Sequence, residues 1–288
     1  MRFHTFCSIL ISVCIVLAML TGCGADQEDP SAEGSSFESP VPTEEPAPTP
    51  TPVPTPTPVG NGLVIVLDPG HSSVVSGGTE PIGPGAAQQK QKDTTGTHGD
   101  ASGMMEYQLT LAVCLKLREA LWAEGYTVYL TREDHTTAIS NVERAQKASD
   151  LGADIFLRIH ADGNTDRRRD GAQTICITGT NPYHPNLYPE SRSLSDNILT
   201  AYCQETGLRN LGVWETDSMT GNNWAAMPAT LLELGFMTNA EEDLRLSGEE
   251  FQNVMVAGIV KGIDNYFAGR ALNGDAGSYS EWKNSQFR

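Results

Sequence analysis

The residues of this chain whose types could do chemistry stand at the ends of apolar runs. His71 follows Leu63-Val64-Ile65-Val66-Leu67 through the tight turn Asp68-Pro69-Gly70, and His160 directly follows a run that ends at Ile159. Glu233 directly follows Thr230-Leu231-Leu232, and Glu106 opens a helical pattern. Two imidazoles and one carboxylate make a catalytic zinc set with a fourth position left for water. The remaining carboxylate is then a candidate general base. Each residue alone is a weak signal. A histidine after a strand is more often a hydrogen-bonded structural group, and a glutamate at a helix start is a favourable charge for the helix dipole. Glu233 says more, because it sits within Leu231-Leu232-Glu233-Leu234-Gly235-Phe236. A buried carboxylate there is costly unless something polar or metallic compensates it. The residues themselves leave open which of Glu106 and Glu233 is ligand and which is base.

The elements that must position these groups follow from periodicity. Leu63 to Leu67 reads as a buried strand of a mostly parallel sheet. The stretch from His71 to Gly103 is long, polar and rich in glycine, with Gly77-Gly78 and Pro81-Ile82-Gly83-Pro84-Gly85; it is too irregular to be core. From Glu106, apolar residues at Leu109, Val113, Leu117 and Leu121 recur every fourth position, and Gly125 closes that helix. Tyr126 to Leu130 is the next strand. Ser140 and Glu143 form a capping box for a helix to Ala148. Strands are expected at 155–159, 172–178 and 230–232, with helices at 191–205 and 251–267. Strands alternating with helices mean a single α/β domain, its central mostly parallel twisted sheet covered by helices on both faces. A ligand site in such a sheet lies at the carboxyl ends of the strands, where His71, His160 and Glu233 fall.

Four segments together resemble the zinc-dependent N-acetylmuramoyl-L-alanine amidases. Val64-Ile65-Val66-Leu67-Asp68-Pro69-Gly70-His71 is similar to the opening motif of that family. Glu106-Tyr107-Gln108-Leu109-Thr110-Leu111 is similar to the second, Phe156-Leu157-Arg158-Ile159-His160-Ala161-Asp162 to the third, and Pro228-Ala229-Thr230-Leu231-Leu232-Glu233-Leu234-Gly235-Phe236 to the fourth. Thr131-Arg132 and Glu143-Arg144-Ala145 also fall where the family has such residues. Four motifs in order, across residues 62–268, are far more specific than any one. The resemblance implies His71, Glu106 and His160 as ligands of one Zn2+, Glu233 as the catalytic carboxylate, and peptidoglycan as substrate, cut between N-acetylmuramic acid and L-alanine. The long interval from His71 to Glu106 departs from the simplest family pattern and is expected to rim the site, since long loops in compact domains are usually functional. Arg158 stands where the family often has a small residue, and no role is assigned to it. Asp68 either orients a ligand histidine or caps the turn. Trp214, Trp224 and Met227 either stack on substrate or pack as lid or core. Arg167-Arg168-Arg169 reads as a solvated charge run, with stem-peptide carboxylates as the alternative partner.

Upstream, Arg2 and the apolar run from Ile9 to Leu20 read as a secretory signal, too short to span a bilayer. It ends Leu20-Thr21-Gly22-Cys23, which resembles a bacterial lipobox, with cleavage before Cys23 and lipid on its thiol. Residues 24–60 hold no Lys or Arg, and nine prolines lie between Pro40 and Pro58. Such a segment buries too little to fold and acts as an extended spacer, with a reach of roughly 60 Å for twenty residues. The expected organisation is a signal peptide at 1–22, a lipidated linker at 23–60, a catalytic domain at 61–270 and a polar tail at 271–288. The protein is then exported and lipid-anchored through Cys23 at the outer face of the cytoplasmic membrane, facing the wall. The net charge of −17 grows more negative when Arg2 leaves with the signal, so nucleic acid is not an expected partner. A monomer with no dedicated activator is expected. Once the leader and Cys23 are set aside, Cys114, Cys176 and Cys203 remain, and they read as small buried hydrophobes. Two other functions are rivals: a zinc peptidase or carboxypeptidase acting on stem peptides, and a non-catalytic wall-binding lipoprotein. Loss of a ligand or base position would favour the second, and all four are present.

Overall fold

The structure is a computed structural model, and it describes residues 60–272. The expectations for the leader, Cys23, the linker and the tail beyond residue 272 lie outside the described residues.

The core is a six-stranded sheet. Its strands are β1 (Val64–Pro69), β4 (Thr127–Leu130), β5 (Ile155–Asp162), β6 (Ala172–Cys176), β7 (Asn210–Glu215) and β8 (Ala229–Phe236). They lie in the order β4-β1-β5-β8-β6-β7. The first four are mutually parallel, while β6 pairs antiparallel with β8 and parallel with β7. A single α/β domain with a mostly parallel sheet is therefore what the sequence folds into.

Strand alternation divides the apolar residues between two faces. Ile65, Leu67, Ile155, Leu157 and Leu232 join the larger cluster, with α1 (Glu106–Ala123), α3 (Tyr188–Thr206) and α6 (Glu249–Leu272). Val66 and Phe156 point the other way, into a smaller cluster with Ala145 and Ala148 of α2 (Asn141–Asp150) and with Ala225 and Met227. This second face is covered by short elements only, which leaves room for a site. Asp68, Arg158 and His160 share the parity of Val66 and Phe156, so the sheet itself aims them at that face.

The capping box at Ser140 forms: its hydroxyl accepts from the Glu143 amide at 3.2 Å, and Glu143 accepts in turn from the Ser140 amide at 2.7 Å. Cys114 and Cys176 are buried and Cys203 is half-buried, all three as free thiols, in keeping with the packing role read from the sequence. The differences lie in short elements. A hairpin of β2 (Thr79–Pro81) and β3 (Gln89–Gln91) stands inside the long polar stretch. The edge strand β7 and the short helices α4 (Thr220–Trp224) and α5 (Ala240–Leu246) also go beyond the elements that periodicity marks. The hairpin is no free loop: Ile82 is buried at 5% exposure. Its backbone carbonyls at Pro81 and Ile82 accept from Trp224 Nε1 at 2.9 Å and Asn223 Nδ2 at 3.0 Å.

Candidate active site

His71, Glu106 and His160 converge at the carboxyl ends of β1 and β5. Glu106 Oε1 lies 3.1 Å from His71 Nε2 and 3.0 Å from His160 Nδ1, and the two ring nitrogens are 3.2 Å apart. Glu233 enters from β8, where it is the register partner of His160 across the parallel pair.

Local geometry makes this convergence fit. His71 is the one non-glycine residue with a positive φ among the described residues, at 60°, a conformation uncommon outside glycine. Two buried guanidinium groups hold it there. Arg132 donates to the carbonyls of Pro69 at 3.0 Å and Gly70 at 2.8 Å. Arg144 donates to Pro69 at 2.7 Å and His71 at 3.0 Å. Glycine is required twice nearby. A β-carbon on Gly70 would fall 2.5 Å from His160 Cε1, and one on Gly96 would fall 2.5 Å from Glu106 Oε2 and 2.7 Å from His71 Cδ2.

Asp68 neither orients a histidine nor caps the turn. Its carboxylate is fully buried between Arg144 at 2.7 Å and Arg158 at 2.9 Å, and it accepts from Thr131 Oγ1 at 2.6 Å. Burial alone would raise its pKa, but the two guanidiniums overturn this and hold the carboxyl well below the usual carboxylate range. Arg158, given no role by the sequence, is thus one of the two guanidiniums that hold Asp68 beneath the turn. The group that orients His71 is the Thr94 carbonyl, 2.8 Å from Nδ1. A carbonyl only accepts, so Nδ1 carries the proton on that side, and Nε2 is the ring atom that faces Glu106. Thr94 belongs to the long polar stretch, and no sequence signal marks it.

The electrostatics suit a metal ion. Glu106 takes backbone bonds from Thr97 at 2.9 Å and Ala161 at 3.1 Å. Burial would raise its pKa, but His71 and His160 more than offset that, so it stays ionised. Burial, with the charges of His71 and Arg158, pushes His160 down to about 4 even against its bond to Glu106, so the imidazole is neutral. Metal ligands need these protonation states. Nitrogen and oxygen donors 3.0–3.2 Å apart lie slightly inside the roughly 3.3–3.4 Å spacing that bonds of about 2.0–2.1 Å to one tetrahedral cation require. Glu233 Oε2 is buried beside them with no partner among the described residues. Burial first, then the charges of Glu106 and Asp162, raise its pKa well above the ordinary value.

Two cavities, of about 520 and 480 Å³, are both lined by His71, His160 and Glu233. The larger is also lined by Gln89, Lys90 and Thr94, so the polar stretch does rim the site. The smaller is lined by Thr97, Asn164 and Arg167. Trp224 is tied to the hairpin, Met227 is buried, and Trp214 is exposed outside both cavities. The arginine run is engaged locally: Arg167 with Asp100 at 2.6 Å, Arg168 with Asp166 at 3.0 Å, and Arg169 over the Phe236 ring.

A mostly parallel α/β sheet with a His-Glu-His donor set and a free carboxylate at its strand ends defines a metallohydrolase type of site. The family model described as Amidase_3, N-acetylmuramoyl-L-alanine amidase, matches residues 65–265. The chain belongs to this family of cell-wall enzymes. It is 31% identical to the uncharacterized protein YqiI of Bacillus subtilis over 169 residues, covering 58% of this chain and 76% of that protein. It is 26% identical to the N-acetylmuramoyl-L-alanine amidase LytC of the same organism, covering 67% of this chain but only 40% of LytC. The apo crystal structure of the N-acetylmuramyl-L-alanine amidase Ami1 from Mycobacterium abscessus superposes with a TM-score of 0.64 at 26% identity, covering 72% of this chain and 99% of Ami1.

Proposed function

We propose that this protein is a zinc-dependent hydrolase that cleaves the amide bond between N-acetylmuramic acid and L-alanine in peptidoglycan, with His71, Glu106 and His160 holding the ion and Glu233 acting as the catalytic carboxylate. The observation that carries the reading is the triangle of the half-buried His71 and His160 with the buried Glu106, and the unpartnered Oε2 of Glu233 beside it. A zinc ion there supplies Lewis acidity toward the amide carbonyl and makes water at the site more acidic. The rest is done by the chain. Glu106 contributes the negative charge of the donor set. The Thr94 carbonyl fixes the tautomer of His71, and Gly70 and Gly96 allow the backbone to approach the rings. Glu233 Oε2, raised in proton affinity by burial, takes a proton from water and delivers it to the departing amine of L-alanine. A carboxylate whose proton affinity is raised by burial is the stronger acceptor for the first half of that transfer. The products are a lactyl carboxylate on the sugar and a new amino terminus on the peptide.

The protein acts from outside the cell, held by lipid on Cys23 and spaced from the membrane by the proline-rich segment. No helix among the described residues is long and apolar enough to cross a membrane.

The test is digestion of purified peptidoglycan with the full chain, with mass spectrometry of the new termini. New amino-terminal L-alanine that vanishes with chelator, returns with zinc and is absent in Glu233→Ala is the expected result. New termini elsewhere in the stem would reassign the enzyme to peptidase chemistry. Metabolic labelling with a radiolabelled fatty acid, lost in Cys23→Ala, tests the anchor.

A further inference from the structure

The larger cavity extends from Glu233 to a wall made by β3, the segment before α4, and α4 itself, where the chemistry is cationic. Arg144 and Arg158 share the single carboxylate of Asp68, which leaves one positive charge over. Lys90 on β3 faces the same cavity. Its ammonium is lowered in pKa by burial and then by the charge of Arg158, so the two cations are close enough to repel. The chain as a whole carries −17, which makes a local excess of positive charge in this cleft all the more informative. Asp93, also on the lining, turns its oxygens to the Ser76 amide at 3.0 and 2.9 Å.

One neutral donor stands with them. Thr220 lines this cavity, is 4% exposed, and its Oγ1 is buried with no hydrogen-bond partner among the described residues. A buried hydroxyl without a partner is costly unless a ligand satisfies it. Lys90 is held at this wall by a bond to the Ser218 carbonyl at 2.6 Å. Arg158 is fixed by Asp68 and by Asn141 Oδ1 at 2.6 Å. The fixed guanidinium, the ammonium and the hydroxyl thus line one space; the carboxylate of Asp93, bonded to the Ser76 amide, offsets one of the cations, so that Lys90, Arg144 and Arg158 against Asp68 and Asp93 leave one positive charge over.

We propose that this end of the cavity is an anion subsite that receives a carboxylate of the substrate peptide, with Lys90 and Thr220 as specificity-determining residues over the fixed charge of Arg158. The proposal rests on the amidase reading: of the two cavities that Glu233 lines, it assigns the larger one, with its cationic wall, to the peptide side of the scissile bond. The acidic residue that comes after L-alanine in a stem peptide is the group it would read. A free carboxylate there is bound, and its amide is discriminated against, since an amide brings no charge to balance the remaining cation.

The experiment uses the full chain loaded with zinc and two synthetic muramyl peptides that differ only at that residue, as free acid or as amide. The expected result is a preference for the acid of about tenfold or more in kcat/KM, expressed mainly in KM. Lys90→Met and Thr220→Val each shrink that ratio, Lys90→Met to within about twofold of unity, and Lys90→Arg restores it. A second arm reads binding without turnover. The acid and amide forms of the released peptide are titrated calorimetrically into the full chain, and the acid should bind more tightly by the same factor. Equal kcat/KM for the two substrates, or a preference untouched by Lys90→Met, overturns the subsite. If neither muramyl peptide is cleaved, the amidase reading fails and the calorimetric arm still decides: no difference between acid and amide overturns the subsite as well.

Discussion

Gly70 lies against the imidazole of His160, so close that a β-carbon at position 70 would sit 2.5 Å from Cε1 and 2.6 Å from Nδ1 of that ring. The turn after β1 and the ligand on β5 are built as one unit. Gly70→Ala must displace either the ring or the turn. The expected outcome is a folded protein, by circular dichroism, whose zinc affinity in competition with a chromogenic chelator falls by about tenfold or more. Unchanged affinity would mean that His160 is not held where this contact places it.

Glu233→Gln separates catalysis from metal retention. The amide keeps the shape but not the proton acceptor, so kcat should fall by about 10²–10⁴-fold with metal content by atomic absorption unchanged. Stability should move the other way. A carboxyl whose folded pKa is raised binds its proton in the native state at pH values where the unfolded chain has lost it. It therefore withdraws stability as pH rises through that window, above about 4.3. Glu233→Gln lacks this loss, and the metal-free variant should melt at a higher temperature than the parent at neutral pH.

Asp68 carries the opposite sign. Its folded pKa is depressed by Arg144 and Arg158, so its contribution is present above the unfolded value of about 3.9 and is lost as pH falls below it. Asp68→Asn leaves two buried guanidiniums facing a neutral amide, and the loss should be about 3–5 kcal/mol at neutral pH. Urea denaturation at pH 7, 5 and 3 should show the gap between parent and variant narrowing toward the acid end. A constant gap would show that Asp68 acts by packing and not by charge.

Trp224→Phe removes the donor to the Pro81 carbonyl and keeps most of the ring volume. About 1 kcal/mol of hairpin docking should go with it. Hydrogen exchange should quicken at Glu80 and Ile82 and stay constant in β5 and β8.

Much of this arrangement was legible in the residues because burial wrote it there. Val64 to Leu67, Ile155 to Ile159 and Thr230 to Leu232 are apolar enough to be central strands, and a polar group stands at or just past the end of each. The fourfold spacing in α1 and the Ser140–Glu143 box were likewise local and strong. The hairpin was not, since Thr79–Pro81 and Gln89–Gln91 carry no apolar alternation, and its tip is held by bonds to residues 141 and 143 positions away. The edge strand β7 has only one neighbour and a half-buried pattern broken by Gly212. Arg158 was unreadable for another reason. Its meaning depends on Asp68 and Asn141, which only the folded chain brings to it. The two carboxylates, equivalent as letters, part in space: Glu106 touches both imidazoles, and Glu233 keeps one oxygen free.

The left-handed backbone at His71 is pinned by guanidiniums through its own and its neighbour's carbonyls, not through its imidazole. The bonds that shape this turn are therefore separate from the ring atoms that face Glu106 and His160. Position 71 is divided in two, a main chain that belongs to the scaffold and a side chain that belongs to the site, and a change of the ring leaves the bonds that aim it in place.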